Sequence, residues 1–133
     1  TYIVKPRETR EVQEIVKLAN RTRIPLVPCS SKVHFYGLTI PREGGIIVDL
    51  SEMNKILNID VRNRHVRIEP GVTWGQLQED LKRYDLMALN PLLPHAGKSA
   101  LTSCLEREPM LIPKFEYSEP ILTMEVYFQQ AKC

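Results

Sequence analysis

Glycine is scarce in this chain, and the glycine patterns of common nucleotide sites do not occur. The 133 residues include six glycines, with neither Gly-x-Gly-x-x-Gly nor a glycine-rich phosphate loop ending in Lys-Ser/Thr. Glycine suits such loops because it reaches positive φ and carries no Cβ that would block a phosphate. The sequence therefore disfavours a nicotinamide or nucleoside-triphosphate site of the usual kind.

Cysteine and histidine are also few and scattered. The chain contains three cysteines and three histidines, and no Cys-x-x-Cys pair. An odd number of widely separated cysteines predicts no disulfide framework and fits a reducing cytoplasm, so we expect a cytoplasmic protein. The isolated histidines disfavour a structural zinc site.

The chain also lacks long apolar runs and a strong excess of charge of either sign. No apolar run approaches the roughly 20 residues that cross a bilayer, and the charged opening segment with Pro6 does not resemble a signal peptide. The net charge is +2 with both signs mixed. Because no apolar run is long enough, membrane insertion is not expected. Because the charges are mixed and few aromatic residues stand near the basic ones, a nucleic-acid partner is not expected either. The composition fits one soluble domain over residues 1–133.

The first 28 residues predict a β-α-β unit. Residues 2–5 are a short β-prone run, and Thr9 is placed to cap a helix whose apolar residues follow at helical spacing. Residues 24–28 then read as a brief buried strand. Such a unit usually makes parallel strands with a right-handed crossover.

The remaining chain predicts more strands and one further helix. Residues 46–50 form a strand after the Gly44–Gly45 turn, and alternating residues on both sides of 62–64 predict a hairpin. Thr73 and Gln76 have capping-box spacing ahead of an apolar helix face. The regular spacing of apolar residues becomes weak after residue 85. Residues 101–120 look irregular, and residues 121–128 predict a closing strand. The order indicates an α+β or mixed α/β fold.

Three segments in order resemble one family. They are "VKPRETREVQEIVKLANRTRIPLVP", "GGIIVDLSEMNKILNID" and "VRIEPGVTWGQLQEDLKRYDL". Together they resemble the FAD-binding domain of the vanillyl-alcohol oxidase/p-cresol methylhydroxylase type, a group that includes the glycolate oxidase D-subunit and D-lactate dehydrogenase. The resemblance implies an α+β, two-lobed fold with the FAD diphosphate between the lobes. The first lobe is complete within about residues 1–94, and the second, residues 95–133, is divergent and reduced.

The loop after the second strand departs from the family at its glycines. In "PCSSKVHFYG", Pro28 and Gly37 match, but Ser30, Ser31 and Lys32 stand where the family has glycine. A serine at φ > 0 costs roughly 1 kcal/mol or more. Serine hydroxyls and a lysine ammonium nevertheless donate well to phosphate oxygens. The loop is therefore expected either to bind FAD with altered geometry or to have lost it.

A second departure follows Pro94. The family has a double glycine there, whereas this chain has Gly97 alone, followed by Lys98 and Ser99 as candidate phosphate contacts. The cofactor-binding candidates that the resemblance implies are Pro28, Ser30, Ser31, Lys32, Val33, His34, Gly37, Gly71, Pro94, Lys98 and Ser99.

The resemblance implies an FAD-binding domain or subunit of an oxidoreductase acting on a small hydroxy acid. The family's substrate-binding cap domain is not expected within these 133 residues, so a partner oxidoreductase subunit or a homodimer is expected to complete the site. The alternative is a non-catalytic interaction module that has lost FAD and uses an open sheet edge, because such edges tend to be paired or covered.

For several single residues the sequence favours ordinary structural roles over functional ones. Asp49 is expected to end a strand and Ser51 to cap a turn, rather than to form a catalytic pair. Trp74 is expected in the core and Cys29 in a buried, unreactive position. For His34 and His95 two interpretations remain, a contact with the ligand and an ordinary position in a surface loop.

Overall fold

The computed structural model describes residues 1–33, 37, 39–88, 91, 95–109 and 121–128. Within them the chain forms two small sheets and three α-helices, in the order β1 (Tyr2–Val4), α1 (Thr9–Thr22), β2 (Leu26–Cys29), β3 (Ile46–Asp49), a 3₁₀ turn (Leu50–Glu52), β4 (Ile56–Asp60), β5 (His65–Ile68), α2 (Trp74–Lys82) and α3 (Ala100–Leu105).

The first sheet is parallel, with the strand order β1-β3-β2. Ile46 of β3 aligns with Tyr2 on one side and with Leu26 on the other. The predicted β-α-β unit is confirmed, and β3 enters between its two strands. Because all three strands run in one direction, their carboxyl ends meet at one edge of the sheet.

The helix of the β-α-β unit is confirmed, but its predicted cap is wrong. Thr9 is the first helical residue, and Glu8 takes the N-cap position without a side-chain cap bond. Instead, the Glu11 carboxylate accepts a 2.6 Å hydrogen bond from the backbone N–H of Arg7. At the other end Arg23 adopts the left-handed conformation, and its N–H bonds the Ala19 carbonyl.

The second sheet is the predicted hairpin of β4 and β5. Its tip is fixed by Asp60, whose carboxylate accepts 2.8 Å hydrogen bonds from the backbone and side chain of Asn63. The hairpin packs onto α2 and α3 through a small apolar core, which consists of Val72, Trp74, Leu77, Leu81 and Ala100. The expected core position of Trp74 is therefore confirmed.

The capping box of α2 forms only in part. Thr73 Oγ1 accepts from the Gln76 N–H at 3.3 Å, but the Gln76 side chain donates to the Asn54 carbonyl at 2.7 Å instead of returning to Thr73. The starts of α2 and α3 lie side by side. Trp74 N–H donates to the Lys98 carbonyl at 3.0 Å, and Ala100 N–H donates to the Val72 carbonyl at 3.0 Å.

Two predictions for the C-terminal part are wrong. Residues 121–128 form no strand, since no described strand offers them a hydrogen-bonding ladder; Gln13 of α1 donates to Tyr127 Oη at 3.0 Å. Residues 100–105 form α3, and all but the first of them belong to the stretch expected to be irregular. The predicted strand over residues 46–50 also ends one residue early, at Asp49.

Candidate functional site

Charged and polar groups gather at the carboxyl edge of the parallel sheet. Lys5 follows β1, Asp49 ends β3, and residues 30–33 follow β2. Lys5 Nζ lies 3.6 Å from Asp49 Oδ2, and Asp49 Oδ1 accepts a 3.0 Å hydrogen bond from Ser51 N–H. Ligands of open parallel sheets commonly bind beyond this edge.

Asp49 is a structural carboxylate of this edge. Burial acts to raise its pKa, but hydrogen bonds from Ser51 and the charges of Lys5 and Lys32 outweigh burial and hold the pKa below its ordinary value. Asp49 is therefore the ionised cap of the 3₁₀ turn. The expectation that Asp49 ends a strand is confirmed. The expectation that Ser51 caps the following turn is wrong, because the Asp49 carboxylate caps it by accepting from Ser51 N–H.

Cys29 is buried beneath the loop and is not activated. Its thiol donates to the Ser31 carbonyl at 3.1 Å. Burial, followed by the negative charge of Asp49, raises the pKa of the thiol. A raised pKa favours the protonated thiol, and the expected buried position of Cys29 is confirmed.

Ser30 connects the loop to α3. Its hydroxyl is hydrogen-bonded to the Thr102 hydroxyl, across 72 positions of sequence. Ser30 was expected to face a phosphate, and the structure shows that it already has a protein partner. Thr102 was not among the predicted residues. Its only signal in the sequence is a position three residues after Ser99, where an N-cap makes its contact.

Ser31 has no such partner. Its side chain is buried, with 6% exposure, and Ser31 Oγ makes no hydrogen bond to any described residue. Buried hydroxyls are nearly always paired, and an unpaired one costs about 1–3 kcal/mol. An unpaired hydroxyl at the sheet edge fits a site that a hydrogen-bond-accepting ligand completes.

The neighbours of Ser31 vary in exposure. Lys32 is exposed, and its positive charge contributes to lowering the pKa of both Cys29 and Asp49. Val33 is half-buried, whereas Pro28 is exposed within β2 opposite Val48. Lys32 is thus an exposed cation that follows Ser31 directly in the chain.

The structure shows packing and backbone roles for the two predicted glycines, and their contact with a phosphate stays a prediction. A Cβ on Gly71 would lie 2.5 Å from the Leu50 carbonyl oxygen, so this glycine permits close packing of the chain on the 3₁₀ turn. Gly37 has φ +63° and lines a surface hollow with Pro25, Val27 and Ile40. Neither observation places them beside Ser31.

Lys98 and Ser99 are held by protein groups. Lys98 Nζ donates to the carboxylates of Glu106 and Glu108. Ser99 Oγ donates to the Pro70 carbonyl at 2.7 Å and accepts from Thr102 N–H at 3.3 Å. The expected phosphate contacts of both side chains therefore remain predictions, because each side chain has a structural role. His34 and Pro94 lie outside the described residues.

The described segments contain no group of three or more histidine, cysteine, aspartate or glutamate residues arranged to hold a metal ion. None of the helices in those segments has the length and apolarity needed to cross a bilayer.

The family model described as "FAD binding domain" matches residues 1–98. The chain belongs to the FAD-binding domain family. FAD is the cofactor of this domain, as the three sequence motifs implied.

Two curated relatives carry the similarity further than residue 98. Mitochondrial D-lactate dehydrogenase [cytochrome] of Arabidopsis thaliana is 34% identical over 105 residues, which are 79% of this chain and 18% of the relative. The flavoprotein subunit of 4-cresol dehydrogenase [hydroxylating] of Pseudomonas putida is 38% identical over 119 residues, which are 87% of this chain and 23% of that subunit. The chain thus spans about a fifth of the length of each relative.

A solved structure confirms the fold type. The crystal structure of p-cresol methylhydroxylase with substrate bound superposes with a TM-score of 0.59 at 32% identity, covering 65% of this chain and 17% of that one. The α+β fold of the p-cresol methylhydroxylase type is therefore confirmed for the FAD-binding domain.

Proposed function

We propose that the loop of residues 30–33 binds the FAD diphosphate at the carboxyl edge of the β1-β3-β2 sheet. The observation that carries the proposal is the buried Ser31 hydroxyl, which has no hydrogen-bond partner among the described residues. A phosphate oxygen supplies the acceptor that this hydroxyl lacks.

Two further features of the chain support this assignment. Lys32 is the exposed cation next to Ser31, and a lysine acts on a phosphate as a point charge. Ser30 is fixed by Thr102, so the loop is held in place before any ligand arrives. Such preorganisation lowers the entropy that binding costs. The hydroxyl and the ammonium replace the bare main chain of glycine-rich relatives.

The reaction proposed for the whole protein is oxidation of a small hydroxy acid. The support is the similarity to D-lactate dehydrogenase, of which this chain corresponds to about a fifth. Bound flavin would accept a hydride from the substrate carbon. This chain's part is to hold the cofactor, and residues outside it would supply the substrate pocket.

A partner subunit is proposed for the same reason. The Pseudomonas putida relative is itself named as a flavoprotein subunit, and this chain covers 23% of it. An oxidoreductase subunit, or a second copy of the chain, would then complete the active site. The described structure contributes the cofactor loop to such an assembly.

Titration with FAD tests the proposal directly. The chain is mixed with FAD, ADP or riboflavin, and flavin fluorescence and the melting temperature are followed. We expect FAD to raise the melting temperature, because a ligand of the native state stabilises it. ADP should compete with FAD, whereas riboflavin, which lacks the diphosphate, should not. Riboflavin competing better than ADP would place the contact at the isoalloxazine and overturn the loop assignment.

A second candidate function is the non-catalytic interaction module. The observation that favours it is the edge strand β1, where Tyr2 and Ile3 are 75% and 65% exposed. Exposed apolar edges invite pairing with another chain. A protein that does not respond to FAD but dimerises in sedimentation, with the dimer lost in Ile3→Lys, would support this function. A monomer that responds to FAD would exclude it.

A further inference from the structure

We infer that Lys98 is a positioning residue of the cofactor loop, acting through α3 rather than by touching the ligand. The inference rests on the proposed function of residues 30–33. The Lys98 side chain is 1% exposed, and its ammonium donates to Glu106 and Glu108. Both carboxylates follow α3, whereas Lys98 precedes it. The ion pairs therefore hold the end of α3 against its beginning.

This arrangement fixes the residues that contact the loop. Next to Lys98, Ser99 caps α3 and donates to the Pro70 carbonyl at 2.7 Å. One turn further on, the Thr102 hydroxyl is hydrogen-bonded to Ser30. A connected set of contacts thus runs from the Lys98 ammonium through α3 to the residue beside Ser31.

The short length of α3 explains why it needs such support. The helix has six residues, and a helix this short is unstable on its own. Its N-terminal side is held by Ser99, and its C-terminal side is held by the carboxylates on Lys98. Loss of either anchor is expected to release Thr102 from Ser30.

The charge state agrees with a structural role. Burial acts to lower the pKa of Lys98, but the hydrogen bonds and charges of the two glutamates outweigh it and raise the pKa. The lysine therefore stays protonated and bound by its carboxylates. Buried ion pairs rarely add net stability over apolar packing, and their best-supported use is to specify one arrangement.

The first variant is Lys98→Met, with Lys82→Met as its matched control. Lys82 forms an exposed pair with Glu79 at 3.4 Å, so its loss should leave FAD affinity unchanged. Lys98→Met should weaken FAD binding about tenfold, which corresponds to the loss of about one hydrogen bond to a charged group. The dissociation constant is measured by flavin fluorescence at a temperature where circular dichroism shows the apo-protein folded.

Glu106→Gln/Glu108→Gln separates positioning from direct contact. This double variant keeps Lys98 and keeps oxygen acceptors, but it removes the charges that bind the ammonium. A positioning role predicts weaker FAD binding, because α3 is less firmly held. A direct phosphate contact predicts tighter binding, because the ammonium is released toward the ligand. The two roles therefore change the dissociation constant in opposite directions, and this variant decides the question if Lys98→Met fails to fold.

The triple variant Lys98→Met/Glu106→Gln/Glu108→Gln separates loss of the anchor from an unpaired buried charge. It leaves no charge in the cluster, but the ion pairs that join residue 98 to the end of α3 are absent. We expect FAD affinity to stay about tenfold below wild type; recovery to within about threefold would show that an unpaired buried charge, and not the lost anchor, weakened binding in Lys98→Met. Tighter binding by the double variant, or unchanged binding by folded Lys98→Met, would overturn the inference. Failure of the wild-type chain to bind FAD would instead refute the proposed function.

Discussion

Trp74 and Ser103 join the two helices that pack on the hairpin. Trp74 Nε1 donates a 2.8 Å hydrogen bond to Ser103 Oγ, and both side chains are buried. The bond satisfies the indole N–H inside the apolar core and joins α3 to α2. Since Thr102 is the neighbour of Ser103, the same bond helps to place the residue that contacts Ser30.

Removal of the Ser103 hydroxyl tests this contact. Ser103→Ala leaves the buried indole N–H without its acceptor, and we expect a loss of about 1–3 kcal/mol in the free energy of unfolding. The measurement is urea denaturation followed by tryptophan fluorescence, which reports on Trp74 because it is the single tryptophan of the chain. In the background Trp74→Phe, followed by circular dichroism, the same substitution should cost less than about 0.5 kcal/mol. Equal losses in both backgrounds would show that the bond is energetically irrelevant.

Ser31→Ala should separate stability from cofactor affinity. The hydroxyl is buried and unpaired among the described residues, so its removal should raise the apo-protein's free energy of unfolding by about 1 kcal/mol. The same change should weaken FAD binding about fivefold to tenfold, because a phosphate hydrogen bond is lost. Denaturation and fluorescence titration on one preparation give both quantities.

Thr123→Ala is the control for Ser31→Ala, because Thr123 is exposed and lies outside the loop. It should change neither stability nor affinity. A Ser31→Ala protein that is both less stable and unchanged in FAD affinity would show that the hydroxyl has an internal partner rather than a ligand.

Gly71→Ala should destabilise the chain strongly. The added Cβ would lie 2.5 Å from the Leu50 carbonyl oxygen and 2.8 Å from that of Met53, and backbone cannot move aside as a flexible side chain can. We expect a loss of at least about 2 kcal/mol, typical of overpacking. Gly97→Ala is the control, since its Cβ would meet only the His95 ring at 3.4 Å. Similar melting temperatures for the two variants would contradict this packing role.

The pH dependence of stability should report on Asp49. Its folded pKa lies below the ordinary value of about 4, so its contribution is fully present above that value. The contribution is lost as the pH falls through the lower folded pKa. Asp49→Asn should therefore flatten the dependence of the melting temperature on pH between about 5 and 2. Asp80→Asn, which removes a more exposed carboxylate, is the control. If the melting temperature of Asp49→Asn falls with acid as steeply as that of the wild type, Asp49 does not stabilise the fold as an ionised cap.

Sequence periodicity predicted the elements that are defined locally. The β-α-β unit, the hairpin and α2 follow from apolar spacing and turn residues, and all three are confirmed. The helix α3 was missed because six residues between irregular segments show little periodicity, although Ser99 carried the cap signal. The strand over residues 121–128 was wrong because alternation alone does not provide a neighbouring strand.

The candidate site was predictable only in its position along the chain. The loop after β2 was identified correctly as following a strand that ends at the carboxyl edge of a parallel sheet. The roles within it depend on contacts between distant residues, such as Ser30 with Thr102 and Lys98 with Glu108. No local pattern in a single sequence encodes such pairs. Lys98 and Ser99 were therefore expected at a phosphate although the fold holds each by internal contacts.

The hydroxyl pair of Ser30 and Thr102 also affects where the domain can be cut. Similarity to the family model stops at residue 98, yet Thr102, Ser103 and Glu108 all lie after that point. An expression boundary drawn at the end of that match would delete α3 and remove the indole acceptor and both lysine counter-ions together. A chain cut after residue 98 would therefore lack contacts that hold these helices together, whereas a boundary after residue 108 keeps them.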